Sequence, residues 1–215
     1  MRSPSTRALL TLGVVGPVVF VVTFLIEGAT RPGYSWYANY VSQLATGEGG
    51  WVQVVNFLFC GACVIAFAIG ARRMLDHGPA ATWGPRLLLL FGVALIVAGV
   101  FVTDPALGYP PGTGVRGTQS VSGAVHGIAG FVSFTSLAAA CFVFARRFAG
   151  AWRAFALAAG TVVLLFFLLS TFGCGCWSPT SVPTGWPVGL LQRVAVVTGW
   201  CWVALTAQLL RRGVA

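Results

Sequence analysis

Trp51-Val-Gln-Val-Val-Asn-Phe-Leu-Phe-Cys-Gly-Ala-Cys-Val-Ile-Ala-Phe-Ala-Ile-Gly-Ala71 runs without a formal charge and stops at Arg72-Arg73. A helix needs about 20 largely apolar residues to cross the hydrocarbon of a bilayer. This run has that length, and paired arginines are what ends such a helix at a membrane surface.

The pattern recurs on both sides of it. Spans are predicted at about 8–28, 51–71, 87–103, 120–145, 154–173 and 188–210. Arg146-Arg147 and Arg211-Arg212 close the fourth and sixth as Arg72-Arg73 closes the second. Arg2 and Arg7 ahead of the first run resemble the start of a signal peptide. The run is long, however, and lacks a small-x-small cleavage site, so it reads as a retained helix. Pro17 lies inside it and is expected to kink it. The expected fold is all-α: one domain, 1–215, a polytopic bundle of six transmembrane helices.

Composition agrees. The chain is 57% apolar and 8% charged, against roughly 25% charged in an ordinary soluble domain. All thirteen basic residues are arginine. Arg2, Arg7, Arg72, Arg73, Arg86, Arg146, Arg147, Arg153, Arg211 and Arg212 fall on one side, and Arg31, Arg116 and Arg193 on the other. That bias predicts both termini in the cytoplasm. The outer loops are then the long ones, rich in Gly, Pro, Trp and Tyr.

Several function classes drop out. With no lysine there is no retinal or other Schiff base. A bis-His haem or multi-His zinc site needs more than His126, since His77 falls in a short basic loop. No phosphate-binding loop is present, and the arginines form no basic face for nucleic acid. No cofactor or metal is expected.

Unusual polar residues gather instead toward the outer ends of the spans. Within about 35–45 a short interfacial helix is predicted, with Trp36, Tyr37, Tyr40, Val41 and Leu44 on one face. Ser35, Asn39 and Ser42 share the other. The segment reads either as an aromatic anchor or as a lid with Ser35, Asn39 and Ser42 facing inward. Asp104 ends the third span before Pro105, as a plain terminator or as a proton donor or acceptor. His126 lies one to two turns inside the fourth span, on one face with Ser122, Ser133 and Ser136. Gly123 and Gly127 on the same helix form a GxxxG pair suited to close helix contact. Gln192 and Arg193 open the sixth span. Arg193 is expected to form an ion pair with Asp104 or Glu27, or else to hold an anionic group. Cys174-Gly-Cys176 is read as a structural or incidental pair, oxidised or not. The other four cysteines, inside apolar runs, read as packing residues.

These pieces resemble a known family. Arg31-Pro-Gly-Tyr-Ser, Asn39-Tyr-Val-Ser-Gln-Leu, Gly99-Val-Phe-Val-Thr-Asp104-Pro, His126, and Gly189-Leu-Leu-Gln-Arg193 leading to Trp200 are similar, in this order, to the bacterial and archaeal family called domain of unknown function 998. The resemblance implies a six-span integral membrane protein and carries no activity with it. The Cys174-Gly-Cys176 element lies outside the pattern.

Three functions fit the residues. The first is an acid/base enzyme acting on a lipid or apolar small molecule, with Asp104 and His126 catalytic. Tyr34, Ser35, Asn39, Ser42, Gln192 and Arg193 would then bind substrate. The second is a structural or accessory subunit whose polar cluster locks six helices together. The third is a small transporter or sensor, against which stands the scarcity of polar residues toward the inner side. The expected partner is the lipid bilayer, with a lipid or apolar ligand, and the expected location is a prokaryotic plasma membrane.

Overall fold

The computed structural model describes residues 4–115, 119–172 and 185–213. They form six helices: α1 Pro4–Thr30, α2 Trp51–Met74, α3 Gly78–Val100, α4 Val121–Ala145, α5 Gly150–Phe172 and α6 Val188–Arg212. Each contains 23 to 27 residues, or about 35–40 Å at 1.5 Å per residue. All are long and apolar enough to cross a membrane. The fold is that of a multi-pass membrane protein.

Each helix packs on its neighbours in sequence, and α6 returns to α1, so the six close into a ring. Short connections make α2–α3 and α4–α5 antiparallel neighbours. In the ring's centre Phe20 of α1 stacks on Trp200 of α6 at 4.7 Å, and Phe91 of α3 leans on the same indole at 5.4 Å. The described parts of the long connections lie at one end of the ring, called here the loop end. The paired arginines lie at the other, the arginine end.

Two spans start earlier than hydropathy suggests. Helix α3 begins at Gly78 with Pro79 in its first turn, where proline's missing N–H costs nothing. Arg86 therefore sits inside α3, its guanidinium 5.3 Å from the exposed Trp83 ring. Helix α5 likewise takes in Trp152 and Arg153. Helix α1 continues through Pro17. Beside that proline, Cys60 of α2 donates its thiol to Gly16 O at 3.3 Å, and Asn56 donates to Phe20 O at 3.2 Å. Cys60, Cys63 and Cys141 are buried, as packing residues should be, whereas Cys201 is exposed. Arg2, Arg116, Cys174 and Cys176 lie outside the described residues.

The interfacial helix expected over 35–45 is two shorter pieces. A turn closes from Asn39 N to Ser35 O at 2.8 Å, and a 3-10 turn occupies Val41–Ala45. Tyr40 between them is extended, with φ −62° and ψ 148°. The interruption has a cause. Asn39 accepts the Ser35 N–H on its side chain at 2.8 Å, and Gln43 accepts the Tyr40 N–H at 2.9 Å. Such local bonds compete with a continuous helix.

Candidate functional site

The polar residues at the loop end do not form one constellation. They divide into a cap, an anchor for the start of α4 and a cavity.

The cap is the loop 31–50 pressed onto the start of α6. Gly189 makes the approach possible. A Cβ there would run into Asn39 O and sit 2.8 Å from Trp36 O. The Gly189 and Leu190 N–H groups, unpartnered within their own helix, donate to Tyr37 O at 3.0 and 3.2 Å. Arg193, one turn on, donates to Trp36 O at 2.7 Å, Asn39 O at 2.9 Å and Gly189 O at 2.9 Å, and also to the Tyr34 hydroxyl. Tyr34 passes its own proton on to Tyr40 O at 3.1 Å. Burial holds the Tyr34 phenol up at about 12, although Arg193 pulls it down. Burial alone holds Tyr40 at about 12, where its hydroxyl donates to Ser170 O at 2.8 Å. Gln192 completes the grip by accepting the Val41 N–H at 2.7 Å.

A second arginine fixes the far side of the cap. Arg31 pairs with Glu27 at 2.7 Å and donates to Glu48 O and, at 3.4 Å, to Leu44 O. The next loop joins on through side-chain amides. Asn39 donates to Leu107 O at 3.0 Å and Gln43 to Ala106 O at 2.5 Å. Tyr109, buried, meets the Tyr34 ring edge-on at 5.2 Å.

The expected ion pair of Arg193 with Asp104 or Glu27 is not formed. Glu27 is taken by Arg31, four residues on along the same helix. Asp104 accepts the Ser120 hydroxyl at 2.5 Å and the Ser120 N–H at 2.9 Å, and Ser120 Oγ in turn accepts the Gly123 N–H at 3.0 Å. Asp104 therefore anchors the start of α4; it does not end α3, which stops at Val100 with the Phe101 N–H on Val97 O. Carbonyl oxygens replace the acid as partners of Arg193, because the planar guanidinium offers its donors in a fork that several can share. The GxxxG reading also changes. A Cβ on Gly123 would meet the Asp104 carboxylate, while one on Gly127 would meet nothing within 4 Å.

Beneath the cap lies a cavity in the ring's centre. The centre of a water molecule can reach about 70 Å³ of it, several times the roughly 10–15 Å³ that one ordered water requires. Its walls are mostly aromatic and aliphatic, with Phe20, Phe57, Phe91 and Trp200 among them. Four polar side chains line it: Ser42 from the cap, His126 and Ser133 from α4, and Gln192 from α6. Ser133 Oγ is buried and has no hydrogen-bond partner among the described residues. His126 Nδ1 lies 2.9 Å from both Ala98 O and Phe101 O. Both partners are acceptors, so Nδ1 carries the proton and Nε2 is the lone-pair nitrogen.

Of the residues anticipated as one site, Ser42, His126 and Gln192 line the cavity. Tyr34, Ser35, Asn39 and Arg193 belong to the cap, and Asp104 to the anchor at the start of α4. Two contributors escaped the sequence reading. Gln43 ties the two loops together, and its signal was its place inside the Asn39-Tyr-Val-Ser-Gln-Leu segment. Ser133 was seen as sharing a face with His126, seven residues away, but not as an unsatisfied hydroxyl.

Among the described residues no group of three or more His, Cys, Asp or Glu is arranged to hold a metal. Neither the curated proteins nor the solved structures contain a match to this chain. The sequence profile of a protein family of unknown function does match, over residues 14–209. That range takes in α1 from Val14 on, the cap, the cavity and nearly all of α6, and the chain belongs to this family, DUF998.

Proposed function

We propose that the protein binds a small, neutral, largely apolar molecule bearing a hydroxyl, in the cavity under the cap. His126 Nε2 accepts that hydroxyl, as a hydrogen-bond acceptor or as a general base. The carrying observation is the pairing of a tautomer-fixed His126 with the unpartnered Ser133 hydroxyl on one helix face at one cavity wall. Ligand sites are typically apolar with a few convergent polar groups, and the aromatic walls here fit that description. Asp104 acts in this reading by holding the start of α4, and so His126, rather than by touching the ligand. The setting is a prokaryotic plasma membrane with the arginine end in the cytoplasm, for which the arginine distribution is the support.

The chain has two histidines, which makes nitrogen-15 NMR of histidine-labelled protein a direct test, with phenol as probe and benzene as control. Phenol should shift Nε2 of His126 while Nδ1 keeps its proton, and benzene should leave Nε2 in place. Ser133→Phe, which fills the cavity from its wall, should abolish the phenol response. An Nε2 signal indifferent to phenol, or a response that survives Ser133→Phe, overturns the reading.

The structural-subunit reading draws its support from the cap, where Tyr34, Asn39, Gln43 and Arg193 are spent on backbone groups. It accounts for those residues and leaves the cavity unexplained. If phenol fails as above, the locking function is what remains.

A further inference from the structure

At the arginine end, α2 and α3 leave a groove of about 390 Å³ between them, within the roughly 300–1,000 Å³ of small-molecule sites. Arg72 and Arg73 line it from α2 and Arg86 from α3, with Ile69, Pro85 and Leu89 alongside. The helical spacing sorts these residues by depth. Helix α2 runs toward the arginine end, so Ile69 lies one turn deeper than Arg72 and Arg73. Helix α3 runs inward, so Leu89 lies one turn deeper than Arg86. Both walls thus present apolar surface toward the membrane centre and guanidinium toward the surface. Ile69 and Leu89 are each 44% exposed although they are large and apolar. Trp83, exposed beside Arg86, has the amphipathic character of a residue at headgroup level.

Among the described residues no acid pairs with the three arginines. None lines the groove, and Asp76 in the adjoining turn faces His77 at 2.5 Å. Among the described residues the only hydrogen bond drawn from these guanidinium groups is a long one, Arg72 to Leu75 O at 3.4 Å.

We propose that this groove is a binding site for an anionic phospholipid. The phosphate sits among Arg72, Arg73 and Arg86, and an acyl chain lies over Ile69 and Leu89. Basic pockets between transmembrane helices suit such headgroups, and the apolar floor gives the chain a surface that a soluble anion would not use. The site is independent of the cavity under the cap.

Native mass spectrometry of the detergent-purified chain tests this, with dioleoyl phosphatidylglycerol, dioleoyl phosphatidylcholine and inorganic phosphate added separately. Phosphatidylglycerol should bind in preference to phosphatidylcholine, and inorganic phosphate should leave no stable adduct. Each arginine near a membrane surface contributes about fivefold in affinity, so the triple variant Arg72→Gln, Arg73→Gln, Arg86→Gln should lose on the order of a hundredfold. All three side chains are exposed, so the fold is expected to survive. A control variant, Arg146→Gln, Arg153→Gln, Arg212→Gln, removes the same charge elsewhere at this end and should keep the adduct. Equal loss in both variants would mean diffuse attraction and no built site. Equal binding of the two lipids, or retention by phosphate alone, would overturn the lipid assignment.

Discussion

Replacing Arg193 by Ala should loosen the cap by an amount the geometry bounds. Four groups lose a donor: Trp36 O, Asn39 O, Gly189 O and the Tyr34 hydroxyl. Gly189 O lies inside α6 and keeps its place in the helix ladder, so three losses count. At the average of about 0.6 kcal/mol for a polar contact between membrane helices, the cost is about 2 kcal/mol. Each buried acceptor left without a donor can cost as much as roughly 1–3 kcal/mol, which sets the upper end. Arg193→Lys should fall between wild type and Ala, because one ammonium cannot reach both the Tyr34 hydroxyl and the loop carbonyls as the fork does. Unfolding by denaturant in bicelles would measure the total. Hydrogen exchange at the Val41 and Leu190 amides would localise it, since both bonds belong to the same grip. A change below about 0.5 kcal/mol, with exchange at both amides unaltered, would refute the cap as a lock, because surface substitutions alone give that much.

Other expectations follow from the same bonds. Ser120→Ala removes the cap on α4 and should cost about 1 kcal/mol, with the Nδ1–H signal of His126 weakening as α4 frays; unchanged stability would contradict the role given to Asp104 and Ser120. Gln192→Glu keeps an acceptor for the Val41 N–H but places charge on the cavity wall, so Val41 should stay protected from exchange while the phenol response disappears. A retained phenol response in that variant would count against the cavity as the binding site. Tyr34 and Tyr40 are raised to about 12 by burial. The folded state therefore holds their protons above the ordinary phenol value of about 10, and the stability they confer, complete below that value, should fall as pH rises from about 10 through 12. Tyrosinate absorbance followed alongside unfolding checks this, and two phenols that titrate normally in the folded protein would refute it.

The helices were legible because each span is a long apolar run, a signal that tertiary context seldom overrides in lipid. Their starts were less so. Gly78 and Gly150 begin helices in stretches where Pro79, Trp152 and Arg153 look like loop, since hydropathy reports apolarity and not hydrogen bonding. The polar residues were identifiable as exceptional, but not their partners. Arg193 seemed to need an acid, and no local pattern shows that Gly189 would admit the carbonyls of Trp36 and Asn39 from more than a hundred residues earlier in the chain. The 35–45 helix failed for a related reason. Its apolar spacing was sound, yet Asn39 and Gln43 turn their amides onto nearby backbone and across to Leu107 and Ala106, which periodicity does not register.

The division between cap and cavity limits what the cavity can hold. A lone polar contact between membrane-embedded groups is weak, so a roof over the ring needs many bonds converging on few side chains. Arginine, with five donors in one plane, does this with the fewest residues, and Arg31 and Arg193 are both used so. Both terminal nitrogens of Arg193 are engaged in the cap, and Arg193 does not line the cavity. No lining residue carries a formal charge of its own: the polar ones are two hydroxyls, one amide and one imidazole. A carboxylate or ammonium brought among Phe20, Phe57, Phe91 and Trp200 would surrender its hydration with no countercharge to meet it, at a cost of several kcal/mol. A neutral hydroxyl gives up far less, and finds in His126 Nε2 an acceptor whose proton is already fixed on the other nitrogen. The charges of this protein build the roof, and their absence from the cavity walls selects for a neutral guest.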